Sequence, residues 1–191
     1  MNGSTHIRDT FAAARAAGRA ALMPYFTLGY PDAETSLDVI ESAARSGADM
    51  IELGIPFSDP LADGPTIQHS AQVALEGGMT AGHCLALVGE LRDREVEQPL
   101  LLMGYFNPIL AYGLRRFVRA AASAGADGFI IPDLPPEEAQ ELEAACRDTG
   151  LALVYLLAPT STPERIAQVA GQSSGFLYLV SLTGVTGARQ A

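Results

Sequence analysis

Short apolar runs alternate with amphipathic stretches along all 191 residues, and this cadence limits the fold more than any other feature of the chain. The apolar runs at 21–27, 50–54, 100–105, 128–131, 151–156 and 176–181 read as strands. They are short and mostly apolar on both faces, as parallel strands are when helices cover both sides of a sheet. Between them, 33–46, 81–92, 114–124, 136–149 and 163–170 read as helices. Pro31-Asp32, Pro135-Pro136-Glu137-Glu138 and Ser161-Thr162-Pro163-Glu164 supply start signals for three of these. Strand starts recur roughly every 23 to 29 residues, apart from one gap near 50 that holds the insertion 56–79.

Six βα units without a Gly-x-Gly-x-x-Gly turn after the first strand disfavour a dinucleotide-binding sheet. An α/β fold of the (β/α)8 TIM-barrel type fits better. A whole barrel takes eight units and about 250 residues. The chain is therefore expected to form a single barrel domain over 1–191, with about six of the eight units and without the last two. Residues 5–19, with Ile7 and Phe11 one turn apart, are expected to form an extra helix over the N-terminal mouth of the barrel. An internal echo links Ser46-Gly47-Ala48-Asp49 with Ala124-Gly125-Ala126-Asp127: in each, Gly ends a helix and Asp leads into a strand.

Composition excludes several functions. With 12 basic and 22 acidic residues the net charge is −10, which repels phosphate backbones and anionic lipid, so neither nucleic acid nor membrane is an expected partner. The densest apolar stretch, 99–106, is too short to span a bilayer. Residues 1–20 hold Arg8, Arg15 and Arg19 and no apolar core, so no signal peptide is expected. Cys84 and Cys146 fall in helices and read as reduced thiols of a cytoplasmic protein. All 12 cationic residues are arginine, so no side chain of this chain can form a Schiff base. His6, His69 and His83 lack metal-ligand spacing and read as surface or loop residues.

The segment 52–68 is the richest in chemistry. Glu52 lies near the end of an apolar strand, where alternation sets Met50 and Glu52 against Ile51 and Leu53. If the branched pair faces the helices, Glu52 faces the barrel interior at the end where barrel enzymes place their chemistry. Burial there raises a carboxyl toward a pKa useful for proton transfer, whereas a structural Glu would be bound by an arginine or by backbone amides. Asp63, and equally Asp59, sits in a long Pro- and Gly-rich loop, where turn or cap chemistry competes with function. At 178–187 a strand enters a Gly-containing loop whose amides and Thr hydroxyls can approach a phosphate, or which simply turns.

The run Glu-Leu-Gly-Ile-Pro-Phe-Ser-Asp-Pro-Leu-Ala-Asp-Gly-Pro-Thr-Ile-Gln at 52–68 resembles the signature of the tryptophan synthase alpha subunit family almost letter for letter. Pro-Tyr-Phe-Thr-Leu-Gly-Tyr-Pro at 24–31, Leu-Met-Gly-Tyr-Phe-Asn-Pro at 102–108, Ile-Pro-Asp-Leu-Pro at 131–135 and the Gly-Val-Thr-Gly loop at 184–187 extend the likeness. The resemblance implies retro-aldol cleavage of indole-3-glycerol phosphate to indole and glyceraldehyde 3-phosphate. It implies Glu52 as acid/base and Asp63 as acceptor of the indole N–H. It further implies an apolar pocket lined by Phe26, Ile67, Leu102, Ile130 and Tyr178, with Thr186 and Gly187 starting a lid and helping to place the phosphate. No cofactor is implied in this chain. Pyridoxal phosphate belongs to a partner beta subunit, which loops 56–68 and 132–136 would face in an alpha2beta2 tetramer. The absence of lysine fits independently, because carbon–carbon cleavage must then use the substrate's own ring as electron sink. The family's main phosphate contacts follow strands seven and eight, so these 191 residues alone are expected to turn over slowly or not at all. Two other readings share the motif: a silent fragment that only docks on the beta subunit, and a stand-alone lyase releasing indole.

Overall fold

All six expected strands form in the computed structural model, which describes residues 2–180. They are β1 (Tyr25–Thr27), β2 (Ile51–Gly54), β3 (Leu100–Met103), β4 (Gly128–Ile130), β5 (Ala152–Leu157) and β6 (Leu177–Leu179). Every neighbouring pair is parallel and the sheet order is β1-β2-β3-β4-β5-β6. The helices around them are α1 (Gly3–Ala16), α2 (Ala33–Arg45), α3 (Pro65–Glu76), α4 (Ala81–Asp93), α5 (Phe106–Tyr112), α6 (Leu114–Ala124), α7 (Gln140–Thr149) and α8 (Pro163–Gln172). Among the described residues no helix is long and apolar enough to cross a membrane.

The start signals act as expected at two places. Asp32 caps α2 by accepting the Thr35 N–H at 2.8 Å, and Thr162 caps α8 with Pro163 in its first turn. The third works differently. Pro136–Glu138 closes a 3₁₀ turn with i→i+3 bonds, and the α-helix begins only at Gln140. Two helices are absent from the sequence reading. α3 occupies the second half of the insertion read as a loop, because Gly64-Pro65 marks its start as much as it marks a turn. α5 is seven residues long, too short for periodicity to register.

The strands bury both faces, in two separate layers. Ile51, Leu53, Leu100, Leu102, Phe129, Leu153 and Tyr155 pack outward against α2, α4, α6 and α7. Met50, Leu101, Ile130, Ala152 and Val154 fill the interior with Ile7 of α1. Phe11 of α1 meets Phe176 with ring centroids 5.4 Å apart, so α1 plugs the N-terminal mouth as expected. Gly3 is required there: a Cβ on it would come within 1.9 Å of the Asp127 carbonyl oxygen.

The sequence echo has a physical cause. Asp49, just before β2, accepts the Leu22 N–H ahead of β1 and both terminal nitrogens of Arg19, each contact at 2.7 Å. Asp127, just before β4, accepts the Leu100 N–H at the start of β3 (2.9 Å) and Arg92 Nη2 (2.6 Å). Each Asp thus ties the root of its own strand to that of the preceding one. Asp127 also bonds His6 Nδ1 at 2.8 Å, which corrects the reading of His6 as a surface residue. His6 is a partly buried anchor between α1 and the sheet, and its partner lies 121 positions away, beyond any local pattern. His69 and His83 are exposed, though on α3 and α4 and not in loops. Cys84 and Cys146 are buried free thiols on α4 and α7, and burial pushes each up to about 12.

Among the described residues, β1 and β6 have no neighbour on their outer edges. The outward side chains of β6 are bare as well, with Leu179 67% exposed.

Candidate active site

Strand parity decides what faces the interior above the apolar floor. β1 and β2 pair with Tyr25 opposite Glu52 and Thr27 opposite Gly54, while Ile51 and Leu53 take the helix side. Glu52 therefore points inward near the C-terminal end of β2, only 3% exposed. Among the described residues its carboxyl has neither an ion-pair nor a hydrogen-bond partner. Burial first, and the nearby charge of Asp63 second, raise its pKa from 4.5 to about 7. Among the described residues no arginine clamps it.

Asp63 is also buried, at the end of the loop from β2 to α3. It does not cap the helix: Gly64 occupies that position, and the Asp63 carbonyl accepts the Gln68 side-chain amide at 2.8 Å. Burial raises the Asp63 carboxyl, and a hydrogen bond from Tyr105 opposes the rise. Asp59, the other loop candidate, is exposed and bonded by the Ser58 hydroxyl.

The pocket residues divide. Ile130 is wholly buried in the inner layer, and Tyr178 packs against that layer with its hydroxyl raised by burial and by the charge of Glu52. Ile67 is half-buried on α3. Phe26 and Leu102 are corrected: both pack in the outer layer, on the helix side. The inward positions on β1 and β3 belong to Tyr25, Leu101 and Met103, one residue away in each case. Matching a motif finds the strand but leaves its parity open, and a one-residue step reverses the face. Thr186 and Gly187 lie outside the described residues.

Tyr25 is a site residue that the sequence reading missed. Its hydroxyl lies over Gly54, where a Cβ would meet it at 2.1 Å, and burial raises its pKa beside both Asp63 and Glu52. It contacts Thr27 Oγ1 at 3.3 Å, Thr27 contacts Ser70 Oγ at 2.7 Å, and Ser70 donates to the Ile67 carbonyl at 2.9 Å. These hydroxyls fasten α3 to β1. Gly54→Ala should force the tyrosine aside and cost about 1–3 kcal/mol. Thermal unfolding of Gly54→Ala, Tyr25→Ala and the double variant checks this, since less-than-additive losses are expected if the clash is the cause.

Asp133, just after β4, accepts the Phe106 N–H through both oxygens (3.0 and 3.2 Å) and so fixes the start of α5 beside the site. A cavity of about 500 Å³ lined by His6, Arg92 and Asp127 belongs to the opposite, N-terminal end, away from both buried carboxyls. What the C-terminal end presents is one acid on a rigid strand and one on a loop, over an apolar floor. Such a pair can add a proton at one point of a flat ring and hold an N–H at another.

The family model described as "Tryptophan synthase alpha chain" matches residues 11–191. The alpha chain of Roseiflexus castenholzii is 57% identical over 186 residues, which are 97% of this chain and 71% of that one. That of Chloroflexus aurantiacus is likewise 57% identical, over 97% of this chain and 70% of its own. Among solved structures, Mycobacterium tuberculosis tryptophan synthase superposes with a TM-score of 0.91 at 43% identity, covering 96% of this chain and 71% of that one. The alpha subunit from Legionella pneumophila gives 0.89 at 41% identity, covering 95% and 68% respectively.

Proposed function

Because the chain belongs to the tryptophan synthase alpha chain family, whose members are lyases that cleave indole-3-glycerol phosphate to indole and glyceraldehyde 3-phosphate, we propose that Glu52 and Asp63 carry that cleavage here. The observation that carries the assignment is the inward, buried carboxyl of Glu52, unpaired among the described residues, with its pKa raised to about 7. A group titrating there can both deliver and take a proton at neutral pH. In the step proposed, Glu52 gives its proton to ring carbon C3 while the Asp63 carboxylate accepts the indole N–H and steadies positive charge on nitrogen. Loss of the side-chain hydroxyl proton, taken by Glu52, then forms the aldehyde. The C–C bond breaks, and its electron pair returns to the ring as indole. Ile130, Met103 and Tyr178 supply the apolar and aromatic walls, with Ile67 contributed by α3.

The family's alpha chain needs no cofactor of its own, and it works with a beta subunit that carries pyridoxal phosphate. We assign the docking side to loops 56–68 and 132–136, both at the C-terminal end of the sheet where the two acids lie. A cytoplasmic location accords with the two buried free thiols.

The chain spans 71% of the length of its R. castenholzii relative. Among the described residues, the bare outward face and unpaired edge of β6 are surfaces that further βα units would cover. Our reading of residues 1–191 is one barrel domain without the last two units, and therefore without the family's principal phosphate loops. Indole release by the chain alone is expected to fall at least about 100-fold below that of the same chain continued with the C-terminal residues of the relative. Equal turnover by the two would defeat this expectation.

A further inference from the structure

Tyr105 follows β3 by two residues and stands at the start of α5, buried, with its backbone neighbour Phe106 fixed by Asp133. Its ring lies 5.4 Å from that of Phe57, at the near end of the loop between β2 and α3. At the far end of the same loop its hydroxyl accepts the Ala62 N–H at 2.9 Å. One side chain therefore touches the loop twice, once through the ring and once through the oxygen. With that oxygen already accepting a bond, the phenol's own proton remains to be donated, and the Asp63 carboxylate is the acceptor beside it.

We propose that Tyr105 is a positioning residue for Asp63: its hydroxyl pins the N–H of Ala62, the residue before Asp63, and donates to the Asp63 side chain, holding that carboxylate ionised and aimed into the interior. The proposal rests on the reading of Asp63 as acceptor of the indole N–H, and it adds a group that the reaction scheme does not contain. The physical need is plain. Asp63 is buried on a loop, and burial favours its protonated form, a poorer acceptor that carries no charge to steady a positive indole nitrogen. Among the described residues, the titratable groups facing it are Glu52 from β2, Tyr25 from β1 and Tyr105 itself; Asp133, after β4, faces Tyr105 from the other side. No cation stands among them, so a neutral donor is what keeps the charge in place. The same end of the loop is also held by Gln68, whose side chain donates to the Asp63 carbonyl.

Tyr105→Phe in the 191-residue chain tests this without requiring turnover, because the ring and its contact with Phe57 are kept. Carboxyl-carbon NMR should show Asp63 titrating about half a unit to one unit higher than in the parent. The Ala62 amide should exchange with solvent several-fold to about tenfold faster, the loss of one ordinary hydrogen bond, at an unchanged unfolding midpoint. An unmoved Asp63 titration overturns the proposal, and so does faster Ala62 exchange without that shift, which reduces Tyr105 to a loop brace. The reading of Asp63 fails by a different result: Asp63→Asn in the continued chain keeping its indole release.

Discussion

Glu52→Gln should unfold at a higher temperature than the parent chain above pH 7 while losing indole formation by about 10²–10⁴-fold in the chain continued to the relatives' length. The two effects share one origin. Folding lifts the Glu52 carboxyl from 4.5 to about 7, so the folded chain holds a proton that the unfolded chain has released between those values. Below pH 4.5 both states are neutral at this position and burial is tolerated. As pH climbs from there through 7, the unfolded state gains by ionising and stability drains away, by about 3 kcal/mol when the climb is complete. Glutamine is neutral throughout and of similar volume, so the variant escapes the loss. The expected gain is therefore absent at pH 4, grows through pH 5 and 6, and levels off beyond 7. Melting curves across that range read it directly, and a variant that melts in parallel with the parent at every pH would show Glu52 to be solvated. Loss of function alongside gained stability is the behaviour of a residue kept for chemistry.

Asp127→Ala should be the most damaging substitution remote from the site, lowering stability by about 3–5 kcal/mol and the midpoint by on the order of 10 °C. Three groups lose their partner together. Arg92, whose side chain is 23% exposed, keeps its carbonyl acceptors and the charge of Glu97 but loses its ion pair; the buried Leu100 N–H loses its acceptor; and His6 no longer holds α1. The counterpart Asp49→Ala offers an internal control. Its arginine, Arg19, is 52% exposed, so water replaces much of what is removed and the cost should stay below about 2 kcal/mol. Equal losses from the two substitutions would mean that burial is not what separates these sequence twins.

How far the sequence could be read follows from which interactions are local. The alternation of βα units, the plug helix and the inward turn of Glu52 all rest on patterns within a few residues, and each stands in the structure. Glu52 was legible because two branched residues, Ile51 and Leu53, bracket it and demand the helix side. Phe26 and Leu102 offered no such bracket. Tyr25 and Phe26 are both aromatic, 101 and 102 are both leucine, and nothing local says which of each pair looks inward. The role of Tyr105 was hidden because its partners Ala62 and Asp63 sit 43 and 42 positions earlier, in a loop whose path only the fold determines. α3 escaped notice because Pro and Gly mark a helix start and a loop alike.

Glu52 rides on a strand and Asp63 on a loop, yet the second contributes to the proton affinity of the first. The acid's strength is thus not a private property of its strand. Any contact that draws the segment 55–64 outward relieves the repulsion between the two acids and lets in solvent, and both changes lower the pKa of Glu52. Pressing that segment inward does the reverse. A remote push on that stretch of backbone can in this way reset an acid on a strand without ever touching it, with the amount dialled by ångströms of travel.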